Sequence, residues 1–154
     1  MRVRANEHFS PKLIETVKAV ALINSDVDLS TVREAGHQGM ADHHWITAFA
    51  HEGGHAILST DTDFLKKPQQ VLAVEDTGLR VIWFAPPHGN AKLELQTANI
   101  LMWWPRIEAK LREARPRECW AVKWTINDGV ELRREELKFQ SHRKKARKAA
   151  RRFD

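Results

Sequence analysis

His55-Ala56-Ile57-Leu58-Ser59-Thr60-Asp61-Thr62-Asp63-Phe64 is the stretch that decides the fold. Its compact Ala-Ile-Leu run reads as a short buried strand. Two carboxylates, Asp61 and Asp63, follow directly at its carboxyl end. On the N-terminal side, Gly53-Gly54 stops a helix, since glycine favours the position just past a helix end. That helix starts at Asp42, a good N-cap, and carries Trp45, Ile46, Phe49 and Ala50 on one apolar face. On the C-terminal side, Pro68 opens a helix through Val71, Leu72 and Val74 to Gly78. Arg80-Val81-Ile82-Trp83-Phe84 then forms a strand stopped by Pro86-Pro87.

The alternation extends both ways. Met1 to Ala5 forms a short first strand. Ser10-Pro11 is a helix start, with Leu13, Ile14, Val17 and Val20 as one stripe. A second apolar stretch, Val20 to Ile23, stands between the first two helices, and Thr31 to Gly39 reads as a loop. Leu93 to Arg115 is a long helical pattern that Pro105 is expected to kink or split. Cys119 to Ile126 reads as a strand with Trp120, Val122 and Trp124 on one face. Asn127-Asp128-Gly129 is a hairpin-like turn, and the remainder from Arg134 is a basic helix. Alternating strands and helices predict an α/β domain with a mainly parallel central sheet between helical layers. Such sheets take ligands at the carboxyl ends of their strands. The expected division is a domain over residues 1–132 and a basic tail over 133–154.

Composition narrows the function classes. The chain has 154 residues and a net charge of +5. That charge is unevenly placed: the last 17 residues hold eight basic side chains and one acid, leaving the first 137 near −2. Arg143, Lys144, Lys145, Arg147, Lys148, Arg151 and Arg152 therefore form a candidate surface for RNA or an acidic partner. With one cysteine, Cys119, neither an intramolecular disulfide nor a cysteine zinc site can form. Cys119 reads as buried and inert. No apolar run approaches the ~20 residues needed to span a bilayer. The N-terminus lacks the apolar core of a signal peptide, so a cytoplasmic protein is expected. Walker A, G-x-S-x-G and G-x-G-x-x-G patterns are absent.

Three constellations carry chemistry. Asp42, Asp61 and Asp63, with Glu7 after the first strand, are oxygen ligands suited to a hard divalent cation. Such a cation keeps clustered carboxylates ionised and stabilises charge on a phosphodiester. The bland alternative makes Asp42 a cap and Asp61-x-Asp63 a turn. His51-Glu52-Gly53-Gly54-His55 matches the His-Glu-x-x-His pattern of zinc peptidases. That chemistry needs both histidines on one helix, which two adjacent glycines oppose. Six tryptophans without a tyrosine are read mainly as core.

Taken together, three blocks resemble the PIN-like nucleases, close to the VapC-type toxins of bacterial toxin–antitoxin pairs. The blocks are Asn6-Glu7-His8-Phe9-Ser10-Pro11-Lys12-Leu13, Ala41-Asp42-His43-His44-Trp45-Ile46 and Leu58-Ser59-Thr60-Asp61-Thr62-Asp63-Phe64. Their order and spacing agree with the family over roughly residues 1 to 85. The resemblance implies a PIN-like α/β/α fold and a metal-dependent endoribonuclease acting on single-stranded RNA with Mg2+ or Mn2+. It implies Asp42, Asp61 and Asp63 as metal ligands, and Thr60 as a group orienting water or substrate. It also implies a cognate antitoxin as partner and allows a homodimer, with the helix around Trp103 as a candidate surface. The family carries aspartate where this chain has Asn6. A neutral amide offers only a carbonyl oxygen, so metal binding and cleavage are expected to be weakened. A natural variant and a deliberate replacement both account for it, and Glu7 is a partial substitute. A non-catalytic RNA- or protein-binding module is the alternative from another class.

Overall fold

A computed structural model describes residues 1–127 and 130–153. The elements run β1 (Arg2–Ala5), α1 (Pro11–Val20), β2 (Asp28–Thr31), α2 (Asp42–His51), β3 (Ala56–Ser59), α3 (Pro68–Thr77), β4 (Arg80–Phe84), α4 (Leu93–Glu113), β5 (Cys119–Val122), β6 (Arg133–Glu135) and α5 (Phe139–Arg151). The sheet order is β2-β1-β3-β4-β5-β6. All neighbours are parallel except β5 and β6, which are antiparallel. This is the expected three-layer α/β/α arrangement.

Successive strand residues feed opposite layers, because side chains alternate across a sheet. Leu58, Ile82, Phe84 and Val122 pack with Leu13, Ile14 and Val17 of α1 and Trp103, Trp104 and Ile107 of α4. Ile57, Val81, Trp83 and Ala121 pack instead with Trp45, Ile46 and Phe49 of α2 and Val71 and Val74 of α3. Both faces are covered, which is why β3 and β4 read as unbroken apolar runs. The chain leaves β1 toward β2 on one side and continues from β3 to β5 on the other. A switch in winding direction therefore falls between β1 and β3, where open α/β sheets form a ligand crevice beyond the strand ends.

Several local expectations are corrected. The strand between α1 and α2 is Asp28–Thr31, not the Val20–Ile23 stretch, and Val20 and Ile23 are exposed. Its sequence, Asp-Leu-Ser-Thr, carries one apolar side chain, so the periodic signal is weak. Pro105 lies inside α4 without splitting it. Its ring is exposed, where the missing N–H bond is easily tolerated. β5 ends at Val122, so Trp124 lies beyond the strand rather than on its face. Asp128 and Gly129 of the expected turn lie outside the described residues.

The basic C-terminal segment supplies two elements. β6 pairs with β5, while α5 packs on α3 with His142 buried. Burial holds the His142 imidazole below its ordinary pKa, and Lys145 adds to the effect. Cys119 is fully buried, which pushes its thiol pKa up and leaves it inert. No helix among the described residues is long and apolar enough to cross a membrane.

Candidate active site

Parallel pairing of β1 with β3 in the register Ala5↔Leu58 sets the next residues of each strand side by side. The Asn6 amide N–H continues the ladder by donating to the Leu58 carbonyl at 3.0 Å. Its side-chain Nδ2 donates to Ser59 Oγ at 2.9 Å. The same Ser59 oxygen accepts the Asp61 backbone N–H at 3.1 Å. One buried hydroxyl thus joins Asn6 to Asp61, which are 5% and 8% exposed.

Asp61 is held from three further directions. Its Oδ1 accepts the Asp63 N–H at 2.9 Å, closing an Asx turn. Its backbone carbonyl accepts the Trp83 indole N–H from β4 at 2.9 Å. Its Oδ2 faces the Lys67 ammonium at 3.3 Å. Lys67 directly precedes α3, and Pro68 fixes that helix start.

Asp42 is the first residue of α2 and not its side-chain cap; Ala41 is the capping residue and no side-chain cap bond forms. The Asp42 carboxylate is turned instead to the helix body and to α3. Oδ1 accepts the Trp45 indole N–H at 2.8 Å, and Oδ2 accepts the Gln70 side-chain amide. Asp42 and Lys67 line one cavity of about 720 Å³. Lys67 therefore links the Asp42 cavity to Asp61.

The remaining expected site residues are distributed around this centre. Asp63 helps to form the turn, but its carboxylate is exposed and 4.0 Å from Lys66 Nζ. Glu7 is exposed and accepts the Gly39 N–H at 2.8 Å, tying the loop before α2 to the end of β1. Thr60 is buried and its hydroxyl has no partner among the described residues. Of the basic residues, Arg143 pairs with Glu75 of α3. Lys145 lines the Asp42 cavity, and Lys144 lines a groove with Glu75 and Arg117. Arg147, Lys148, Arg151 and Arg152 are exposed on α5 and its end.

Whether a divalent ion fits can be judged from these donors. In favour, Asn6 Oδ1 is buried without a partner among the described residues. Against, both Asp42 oxygens already accept hydrogen bonds, and an ammonium sits on Asp61. Among the described residues, no three His, Cys, Asp or Glu side chains are grouped to hold a metal. In this arrangement the residues do not fit a divalent ion: Asn6 supplies no charge, and Lys67 supplies a positive one where a cation would be wanted.

The His51-to-His55 pattern is not carried on one helix. α2 ends at His51, and Gly53 adopts a left-handed φ of +88° that turns the chain away. The Glu52 carboxylate is paired with Arg2 and Arg4. His55 Nε2 is bonded to the Leu111 carbonyl at 2.8 Å, and burial holds its pKa below the ordinary histidine value. Ser59, Lys67, Gln70 and Trp83 are the residues that sequence reading missed. Their only sequence signals are adjacency: Ser59 to Asp61, and Lys67 to Pro68.

A family model described as a PIN like domain matches residues 1–86. No curated protein and no solved structure matches the chain.

Proposed function

Since the chain belongs to the PIN-like domain family, we propose that it acts on single-stranded RNA as a toxin-type ribonuclease weakened by Asn6. PIN-like domains are usually nucleases and generally use divalent metals. The observation that carries the proposal is the Asn6–Ser59–Asp61 junction at the switch point between β1 and β3, with Asp42 alongside. The protein's own groups have separate tasks. Ser59 and Trp83 fix Asp61, Trp45 and Gln70 fix Asp42, and the exposed cations of α5 gather phosphates. Mg2+ or Mn2+ is the ion expected of this family chemistry, and the present donor set is poorly matched to it.

A cognate antitoxin is the proposed protein partner, covering the strand ends and competing for Asp42 and Asp61. A homodimer through α4 would use its exposed Leu95 and Met102, one face apart by two turns, since Trp103 and Trp104 are buried within the monomer. A second reading, a silent RNA-binding module, is favoured by the donors already on the two carboxylates, Trp45 and Gln70 on Asp42 and Lys67 on Asp61. One experiment separates the two. A mixed single-stranded RNA pool is incubated with the parent, Asn6→Asp and Asp61→Ala in Mn2+, in Mg2+ and in EDTA. The nuclease reading expects cleavage raised by Asn6→Asp, lost with Asp61→Ala and abolished by EDTA. Equal inactivity of all three proteins, with RNA still bound, supports the silent module.

A further inference from the structure

The cavity beside Asp42 lies between the starts of α2 and α3 and the last turns of α5. Its volume of about 720 Å³ is in the range of small-molecule sites. Much of its lining is apolar: Pro68 at the start of α3, and Ala149, Ala150 and Phe153 at the end of α5. Phe153 is 92% exposed, so it contributes nothing to the core and offers an aromatic face to whatever enters. Two lysines, Lys67 and Lys145, are among its lining residues, and the Lys67 ammonium also faces Asp61.

Gln70 supplies the polar complement. It is 5% exposed, and its Nε2 is committed to Asp42. That bond fixes the amide orientation, because a flip would set two oxygens against each other. The Oε1 acceptor is left without a partner among the described residues, which is costly for a buried group. A ligand that satisfies this site brings an apolar ring, an N–H donor on its edge and negative charge beside it. An unstacked nucleotide has all three. Guanine, with adjacent N1–H and N2–H2 donors, matches a carbonyl acceptor next to a carboxylate best.

We propose that this cavity is a nucleotide subsite that holds one unstacked base of a single-stranded RNA, guanine by preference. The base stacks on Phe153 and is read by Gln70, and the adjoining phosphate rests between Lys67 and Lys145. Because Lys67 also reaches Asp61, the bound nucleotide lies next to the candidate cleavage centre. The inference rests on the RNA reading above, and it gives the end of α5 a specific task beyond general attraction.

The test is fluorescence anisotropy of the full chain with labelled RNA pentamers UUGUU and UUUUU, in EDTA so that binding is read without cleavage. UUGUU is expected to bind at least fivefold more tightly. Phe153→Ala should weaken UUGUU by about 5- to 150-fold, the range for loss of one base–aromatic stack, and erase the preference. Arg152→Ala, at the same end of α5 but outside the cavity, should weaken both pentamers alike and keep the preference. Since Phe153 is exposed, its replacement does not threaten folding. Equal binding of the two pentamers by the parent, or an unchanged preference in Phe153→Ala, overturns the subsite while leaving RNA binding intact. Failure to bind either pentamer overturns the subsite and the RNA reading together.

Discussion

Replacing Asn6 with aspartate probes the candidate site most directly. Asn6 Nδ2 now donates to Ser59 Oγ, an oxygen that also accepts the Asp61 N–H. The Ser59 hydroxyl proton is free to rotate and donate to a carboxylate at position 6, so the junction itself survives the change. What changes is charge. Taking roughly 5 Å between the two carboxylates and an effective dielectric of about 20, Coulomb repulsion is about 3 kcal/mol. Lys67 sits on Asp61 and offsets part of it. In EDTA, Asn6→Asp should therefore lower unfolding stability by about 1–3 kcal/mol, measured in urea. A divalent ion relieves the same repulsion, so recovery of about 2–3 kcal/mol corresponds to Mn2+ binding about 30- to 150-fold tighter than in the parent. Mn2+ binding is followed by loss of the free-ion electron paramagnetic resonance signal. An affinity within threefold of the parent, together with a urea midpoint indifferent to EDTA, would refute the reasoning that a second carboxylate at position 6 turns the Asp61 pocket toward a cation.

Three other outcomes test separate parts of the structure. Lys67→Ala removes the ammonium that competes for Asp61; because Lys67 is half exposed, the gain in Mn2+ affinity should be modest, about fivefold, with little change in the urea midpoint. Gly54→Ala places a Cβ 2.6 Å from the buried Phe49 ring, and overpacking of this kind should cost about 1–3 kcal/mol in urea unfolding. Stability should also fall as pH drops from 7.5 to 5.5. Burial holds His88, which packs edge-on against Phe84 and Trp124, below its ordinary pKa, so the unfolded chain takes up protons first once pH passes below about 6.5. Full stability is present above that value, and His88→Phe should remove part of the dependence, with His55 and His142 supplying the rest; an equally steep profile in that variant would assign the effect to other groups.

Legibility followed burial. β3 and β4 are covered on both faces, so Ala-Ile-Leu and Val-Ile-Trp-Phe announced themselves as strands without any alternation. β2 and β6 are edge strands of four and three residues. Asp-Leu-Ser-Thr and Arg-Arg-Glu satisfy an edge through backbone bonds alone, and no hydrophobic period marks them. The register of β6 against Cys119–Ala121 is a long-range fact that no local pattern encodes. The site divides the same way. Asn6 and Asp61 could be named because each follows a legible strand, Asn6 the basic-apolar alternation of Arg2–Ala5 and Asp61 the apolar run Ala56-Ile57-Leu58, and parallel pairing then sets neighbouring strand ends together. Asp42 could be named as a helix start, but its bonds to Trp45 and Gln70 depend on how α2 meets α3.

The residues that were not legible are the ones that decide the chemistry. A lysine marked only by the proline after it and a glutamine in the first turn of a helix carry no signal of their role, yet Lys67 occupies Asp61 and Gln70 occupies Asp42. Two of the carboxylates that position and charge would assign to a cation, Asp61 and Asp42, have been given a donor from the start of α3. With aspartate at position 6, a lysine on Asp61 would be one cation against two carboxylates, leaving a net negative pocket that still attracts a metal. With asparagine there, the same lysine balances Asp61 one for one. The neutral residue at the end of β1 and the ammonium at the start of α3 therefore act in the same direction. Both lower the pocket's demand for a divalent ion, and their effects on Mn2+ affinity should be coupled: the gain from Lys67→Ala should be larger in the Asn6→Asp background than alone.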